Sequence, residues 1–147
     1  DENRGGTIGG SQGGALALVC AALEPRIKRV VALHPFLCDY QRVWEMDLAK
    51  DAYAELTDFF RRFDPQHKQQ DEFFRRLGYI DVHHHVSNVK AKVLFAATLA
   101  DTICPPSTQF AAYNKIAAEK SIEVYPDFGH EPPPGFWDKT FNFMMEL

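Results

Sequence analysis

The sequence predicts a single α/β domain built on a mostly parallel sheet with flanking helices. Short runs of β-branched and apolar residues, interpreted as buried strands, alternate with segments in which apolar residues recur at helical spacing. Strands that alternate with helices of about 10–15 residues are typical of βαβ units and a parallel sheet. The length of 147 residues and the hydrophobic content of 46% fit one folded domain and exclude a largely disordered chain.

Four short strands are predicted, of which the last three are apolar runs and the first is the segment before a glycine-rich turn. They lie near residues 5–8, 29–33, 93–97 and 121–125. His34 and Pro35 end the second strand, and Pro126 follows the fourth, because proline cannot donate a hydrogen bond to a neighbouring strand. Helices are expected in three further segments, at residues 15–23, 106–118 and 136–147. The last of them should place Phe136, Trp137, Phe141 and Met144 on a common side.

The segment between the second and third strands reads as almost entirely helical. Tyr53, Leu56, Phe59, Phe60 and Phe63 form an apolar stripe at helical spacing, which Asp64 and Pro65 end. Such an insertion either covers the carboxyl edge of the sheet, where open α/β sheets bind ligands, or packs on its outer face; we favour the cover. The chain thus divides into residues 1–38, a helical insertion at 39–88, and residues 89–147.

Composition limits the classes of partner. A formal charge of −4 argues against nucleic acid or an anionic membrane as the main partner. Residues 5–23 carry no charge, but six of the 19 are glycine, so a buried helix is a better interpretation than a membrane span. Three cysteines cannot form a disulfide framework and favour reduced thiols in the cytoplasm, and no signal peptide is visible.

The motif that points to chemistry is a Gly-x-Ser-x-Gly pentapeptide at residues 9–13. In a nucleophile elbow, a serine on a sharp turn between strand and helix needs small neighbours and projects its hydroxyl from the sheet. The N–H of Gln12 at the helix start would then face an oxyanion. A phosphate-binding loop is the alternative, but neither of its sequence patterns can be placed here. We therefore interpret Ser11 as a candidate nucleophile.

A serine nucleophile needs a base and an orienting acid, and Asp101 and His130 supply both. Asp101 follows the predicted strand that ends at residue 97, and His130 follows the strand that ends at residue 125. Each alone is more often a turn or loop residue. The order Ser, Asp, His at three strand ends is that of α/β-hydrolases.

Other candidates are weaker. Three consecutive histidines at residues 83–85 suggest metal binding, but adjacent helical residues point about 100° apart, and a solvated helix is the simpler interpretation. His34 could line a pocket, and His67 is expected on the surface. Cys104 is a possible thiol nucleophile, although the two prolines that follow it favour a structural turn.

Taken together, these motifs resemble the acetyl xylan esterase and cephalosporin-C deacetylase family of α/β-hydrolases. The resemblance rests on the elbow and the residues after it (9–15), Pro-Phe-Leu-Cys-Asp (35–39), Ile-Cys-Pro-Pro-Ser-Thr (103–108), Phe-Ala-Ala-Tyr-Asn (110–114) and Gly-His-Glu (129–131). It implies Ser11 as nucleophile, His130 as base, Asp101 as its orienting acid and Gln12 as an oxyanion donor. It further implies that Phe36 and Ile103 line a tight acyl pocket.

The resemblance also implies a function. The family removes acetyl groups from small xylo-oligosaccharides and cephalosporin-type esters, without metal or organic cofactor, and forms intracellular homo-oligomers. Family members are about twice as long, so we expect the 147 residues to be a C-terminal half whose first strand is an open edge. Three alternatives stay open: a dienelactone-hydrolase-like enzyme, a peptidase-like enzyme and a non-catalytic module.

Overall fold

The computed structural model describes residues 3–147 and has the predicted α/β architecture. Four parallel strands form one sheet in the order β1, β2, β3, β4. The strands are β1 (Gly5–Gly10), β2 (Ile27–Leu33), β3 (Lys92–Thr98) and β4 (Lys120–Tyr125). Because all four strands run the same way, their carboxyl ends lie at one edge of the sheet, where the predicted site residues are placed.

Helices connect the strands and cover both faces of the sheet. They are α1 (Gln12–Leu23), α2 (Tyr40–Glu45), α3 (Ala54–Phe63), α4 (Gln70–Leu77), α5 (Val82–His85), α6 (Pro106–Lys115) and α7 (Phe136–Met145), with 3₁₀ turns at Asp51–Tyr53 and Val86–Asn88. No helix within residues 3–147 is long and apolar enough to cross a membrane.

The core lies on both faces of the two central strands. Val30, Ala32 and Phe95 point to the face covered by α1 and α6 and are buried. The alternate residues Val31 and Leu94 point to the opposite face, where α7 packs. Since successive side chains of a strand point to opposite faces, a strand buried on both faces reads as a continuous apolar run, as β2 and β3 do.

The insertion between β2 and β3 forms its own small aromatic core. Buried side chains of α2, α3 and α4, among them Tyr53 and Phe60, pack there together with Phe36 and Leu37, which follow β2. Asp81 joins the two ends of the insertion, because its carboxylate accepts hydrogen bonds from the backbone N–H groups of Asp39 and Tyr40 at 2.8 and 2.9 Å. The insertion thus starts at the carboxyl end of β2, while α5 returns to pack beside α1 and α6.

Two details of the predicted apolar faces are wrong. On α7 the residues that face the sheet are Phe136, Thr140 and Met144, whereas Trp137 and Phe141 are exposed. On α3, Phe63 at the end of the stripe is also exposed. The reason is geometric. Residues four apart in α7 face the sheet, and the residue after each of them is rotated by 100° around the helix axis and therefore points away from the sheet.

Within the described chain, β1 is an edge strand that pairs with β2 alone. Its other side presents unpaired backbone groups, and the side chain of Ile8 on it is 48% exposed. This strand leads directly into Ser11, so the open edge lies beside the elbow.

Gly9, two residues before Ser11, is required by packing, and this leads to a prediction. A Cβ on Gly9 would collide with the carbonyl carbon and oxygen of Gly13 and lie 2.6 Å from the Gly14 nitrogen, whereas a Cβ on Gly13 would meet nothing within 4 Å. Gly9→Ala should therefore lower the melting temperature sharply. Gly13→Ala is the matched control and should be neutral or stabilising by up to ~1 kcal/mol, since alanine favours helix. Equal melting temperatures for the two variants would contradict this close packing.

Candidate active site

Ser11 lies on a strained turn between β1 and α1. Its backbone φ of 52° is in the left-handed region, which non-glycine residues rarely adopt and which is common at functional sites. The turn is held by two hydrogen bonds, from the Ser11 N–H to the Leu33 carbonyl and from the Phe36 N–H to the Ser11 carbonyl, both at 3.0 Å. Gln12 is the first residue of α1, so its N–H has no acceptor within the helix and is available to an anion.

The structure brings Ser11, His130 and Asp101 together in one hydrogen-bonded row. Nε2 of His130 lies 2.9 Å from Oγ of Ser11, and Nδ1 of His130 lies 2.8 Å from Oδ2 of Asp101. Since a carboxylate can only accept, Nδ1 carries the ring proton, and Nε2 is left to accept from the serine hydroxyl. This is the arrangement in which an imidazole can remove the serine proton.

Asp101 is buried and held from both sides. Its Oδ1 accepts hydrogen bonds from the backbone N–H groups of Ile103 and Cys104 at 2.8 and 2.9 Å. Its Oδ2 faces His130 and is also contacted by the Thr98 hydroxyl at 3.4 Å. These donors fix the carboxylate, so that it can fix the imidazole in turn.

The two predicted pocket residues each donate a backbone N–H to one member of this row, Phe36 to Ser11 and Ile103 to Asp101. Phe36 follows β2, and its ring meets that of Tyr53 edge-on, with the centroids 4.6 Å apart. Ile103 lies in the loop after β3, where its backbone holds Asp101. A cavity of about 440 Å³ begins at Phe36 and extends into the aromatic core of the insertion. Their role in holding an acyl group stays a prediction.

The weaker candidates lie elsewhere or are unsuited to chemistry. Cys104 is buried beside Ser11, and burial, followed by the charge of Asp101, raises the pKa of its thiol to about 12, so it stays protonated near neutral pH. Asp127 is exposed. In the histidine run, the half-buried His83 is bound to Asp81 at 2.7 Å, and the ring of His84 packs against that of His83.

One cluster in residues 3–147 has the spacing of a metal site. It consists of His34, Asp101 and His130, whose donor atoms all lie within 4.8 Å of one another. Both ring nitrogens of His130 are already hydrogen-bonded, one to Ser11 and the other to Asp101. A metal ion there would have to replace one of these bonds, so the present geometry is that of a proton-transfer network.

Sequence reasoning missed Gln109, which braces the loop that carries Asp101. This buried amide donates to the Cys104 carbonyl at 2.6 Å and accepts from the Thr98 N–H at 3.2 Å. The sequence shows only a glutamine near the start of the predicted helix after the Asp101 loop, which indicates neither burial nor a partner.

Removing the Gln109 amide should therefore destabilise the loop that carries Asp101 and lower the free energy of unfolding. Gln109→Leu leaves buried backbone groups of Thr98 and Cys104 without partners, and each such group costs about 1–3 kcal/mol of unfolding free energy. Urea denaturation measures the loss. Gln41→Leu, on the exposed face of α2, is the matched control and should change little. An unchanged midpoint for Gln109→Leu would show that the amide does not brace the loop.

Comparison with known proteins decides the family. The acetyl xylan esterase family model matches residues 1–147. The chain belongs to the acetyl xylan esterase family. It is similar to acetyl xylan esterase 1 from Thermoanaerobacterium sp. JW/SL YS485, with 57% identity, a TM-score of 0.98, and coverage of 99% of this chain and 46% of that one.

Two further proteins that are similar to this chain support the same family. Acetyl xylan esterase from Paenibacillus sp. R4 is 43% identical with a TM-score of 0.89, over 95% of this chain and 44% of its own. Acetyl esterase Axe7A of Xylanibacter ruminicola (strain ATCC 19189 / DSM 19721 / CIP 105475 / JCM 8958 / 23) is 33% identical over 118 residues, which are 80% of this chain and 25% of that protein. This esterase-family chain therefore spans less than half the length of each of these three relatives.

Proposed function

We propose that the protein is a serine esterase that removes acetyl groups from small acetylated sugars such as xylo-oligosaccharides, and from cephalosporin-type esters. The observation that carries the proposal is the row Ser11–His130–Asp101, with bonds of 2.9 and 2.8 Å, at the carboxyl edge of the sheet. Family membership supports the acetyl ester as the bond that is broken.

The first half of the reaction forms an acetyl-enzyme. Nε2 of His130 takes the hydroxyl proton of Ser11 while Oγ bonds to the acetyl carbonyl carbon. The resulting imidazolium is stabilised by the Asp101 carboxylate, and the oxyanion lies toward the N–H of Gln12. His130 then donates its proton to the sugar oxygen as the ester C–O bond breaks, and the alcohol leaves.

The second half repeats these steps with water. His130 removes a proton from the water, the hydroxide bonds to the acetyl carbon, and the serine oxygen leaves with the proton returned by His130. Acetate is released and Ser11 regains its hydroxyl. In these steps the described residues take part through the side chains of Ser11, His130 and Asp101 and the N–H of Gln12.

A complete site needs more than the residues described. An oxyanion hole of this kind uses two donors, and losing one costs about 10²–10³ in kcat. Gln12 supplies one donor, and the unpaired edge of β1 lies beside it. We therefore propose that further polypeptide pairs with β1 and supplies the second donor, and that the 147-residue chain alone is a weak esterase.

Compartment and assembly are proposed on the resemblance. All three cysteines, Cys20, Cys38 and Cys104, are free, which fits a reducing compartment such as the cytoplasm. The family resemblance implies a homo-oligomer. Sedimentation of the intact protein measures this, and a monomer would contradict it.

Acyl-chain selectivity tests the proposed substrate class. With p-nitrophenyl esters, kcat/KM should be highest for acetyl and fall by about 10–200-fold per added methylene, because a pocket bounded by Phe36 and Ile103 discriminates each methylene by only ~1–3 kcal/mol. Acetylated xylobiose should be deacetylated, and a prolyl aminoacyl amide should not be cleaved. Equal rates for acetyl and butyryl esters, or faster cleavage of the amide, would favour the dienelactone-hydrolase-like or peptidase-like alternative.

A further inference from the structure

His34 lies against the candidate catalytic histidine, although it is 96 residues away in the sequence. It directly follows β2, and its side chain is buried, with 4% exposed. The ring centroids of His34 and His130 are 4.4 Å apart, and the ring planes are inclined by 32°. Its backbone φ is 30°, and its Nε2 lies near Gly10, the residue before Ser11.

The Thr98 hydroxyl connects His34 to the acid of the row. Oγ of Thr98 lies 3.4 Å from Nδ1 of His34 and 3.4 Å from Oδ2 of Asp101. The hydroxyl has one proton, and the carboxylate can only accept it, so Nδ1 of His34 must carry a proton and point it at the hydroxyl oxygen. His34 therefore donates to the Thr98 hydroxyl, which donates to Oδ2 of Asp101. The same Oδ2 accepts the hydrogen bond from His130.

His34 is neutral while this network works. Burial, followed by the neighbouring His130, lowers its pKa to about 4, and Asp101 acts in the opposite direction. These are the titratable groups that face it. A neutral ring can stay stacked on His130 when that imidazole gains its proton during catalysis, whereas a charged ring would repel it.

We propose that His34 is a positioning residue, whose ring forms the wall that keeps the His130 imidazole in line between Ser11 and Asp101. The contact between the two rings contributes most to holding the His130 imidazole in place. The Nδ1–H of His34 also orients the Thr98 hydroxyl toward Asp101. The proposal rests on the serine mechanism proposed above. It assigns a role to a histidine that a simple core-filling function would not predict, because filling space requires neither a fixed ring plane nor a proton on Nδ1.

Two substitutions distinguish the contribution of the His34 ring from that of its hydrogen bond to Thr98. His34→Phe keeps a flat ring and loses the donor. His34→Asn loses the ring, keeps an N–H near the place of Nδ1, and tolerates a positive φ. In the intact enzyme we expect His34→Asn to lower kcat by ~10²-fold, as misplacement of about 1 Å does, with KM little changed. His34→Phe should recover at least a tenth of the wild-type kcat, since the ring is restored.

The matched control is His84→Phe. His84 stacks on His83 with centroids 3.9 Å apart and planes inclined by 38°, a similar pair that contacts no residue of the row. Its kcat and KM should equal those of the wild type. A kcat of His34→Asn within twofold of wild type, an increase in KM at constant kcat, or a His34→Phe variant as slow as His34→Asn would each overturn the positioning role.

A spectroscopic readout makes the test independent of the proposed function. In a Ser11→Ala background, where the readout does not depend on esterase activity, the proton between His130 and Asp101 should give a low-field NMR resonance. His34→Asn should broaden or shift this resonance, while His34→Phe and His84→Phe should leave it nearly unchanged. An unaffected resonance in His34→Asn overturns the positioning role. Retention of activity in Ser11→Ala alone would instead contradict the serine mechanism.

Discussion

Ser11→Ala should abolish ester hydrolysis and leave the fold intact. The hydroxyl is the group that bonds to the acetyl carbon, and loss of a serine nucleophile lowers kcat by on the order of 10⁶. Alanine fits the site because only one oxygen is removed, although it keeps the strained φ of 52°. Initial rates with p-nitrophenyl acetate measure the loss, and circular dichroism checks the fold.

The control for this substitution is Ser121→Ala, since Ser121 lies exposed on β4. Its rate should match that of the wild type. Activity of Ser11→Ala above a few per cent of wild type would show that another group attacks the ester. The Cys104 thiol lies beside Ser11, and its raised pKa disfavours that role.

Asp101→Asn is the second large effect and should reduce kcat by on the order of 10⁴. An asparagine can occupy the same place, but its amide NH₂ facing His130 favours the tautomer in which Nδ1 accepts and Nε2 is protonated. That imidazole can no longer take the serine proton. The backbone N–H groups of Ile103 and Cys104 can still bond to the amide oxygen, so the loop should stay folded.

Asp127→Asn is the matched control, because Asp127 is the other aspartate in the loops before His130 and is exposed. Steady-state kinetics on both variants distinguish the two carboxylates. If Asp127→Asn were the slow variant and Asp101→Asn ran at the wild-type rate, the partner of His130 would have been assigned wrongly.

The sequence was sufficient to predict the four strands, because local residue patterns determine where they lie. The strands appear within two residues of their predicted ends. Apolar runs define β2, β3 and β4, and the glycine-rich elbow that follows β1 marks that strand. The placement of Ser11, Asp101 and His130 at one edge followed from the parallel topology, since each lies within five residues of the carboxyl end of a strand. The informative features were the Gly-x-Ser-x-Gly motif and the order of the three residues along the chain.

The sequence does not predict which side chains from distant parts of the chain contact one another. The contacts between His34 and Thr98 and between His34 and His130 join residues 64 and 96 positions apart, and no local spacing predicts them. Helical periodicity groups the apolar residues of α7 but does not say which of two overlapping stripes faces the sheet, so Phe141 was placed wrongly. A glutamine such as Gln109 looks like a surface residue until its partners are known.

Labelling by a fluorophosphonate probe, followed by peptide mass analysis, tests the central claim most directly. The probe phosphonylates an activated serine irreversibly, so it reports an assembled Ser11–His130–Asp101 row without depending on any one substrate. We expect a single adduct on the peptide that contains Ser11, and no adduct in Ser11→Ala. An adduct on a different residue, or no adduct from protein that hydrolyses p-nitrophenyl acetate, would contradict the assignment of Ser11 as the nucleophile.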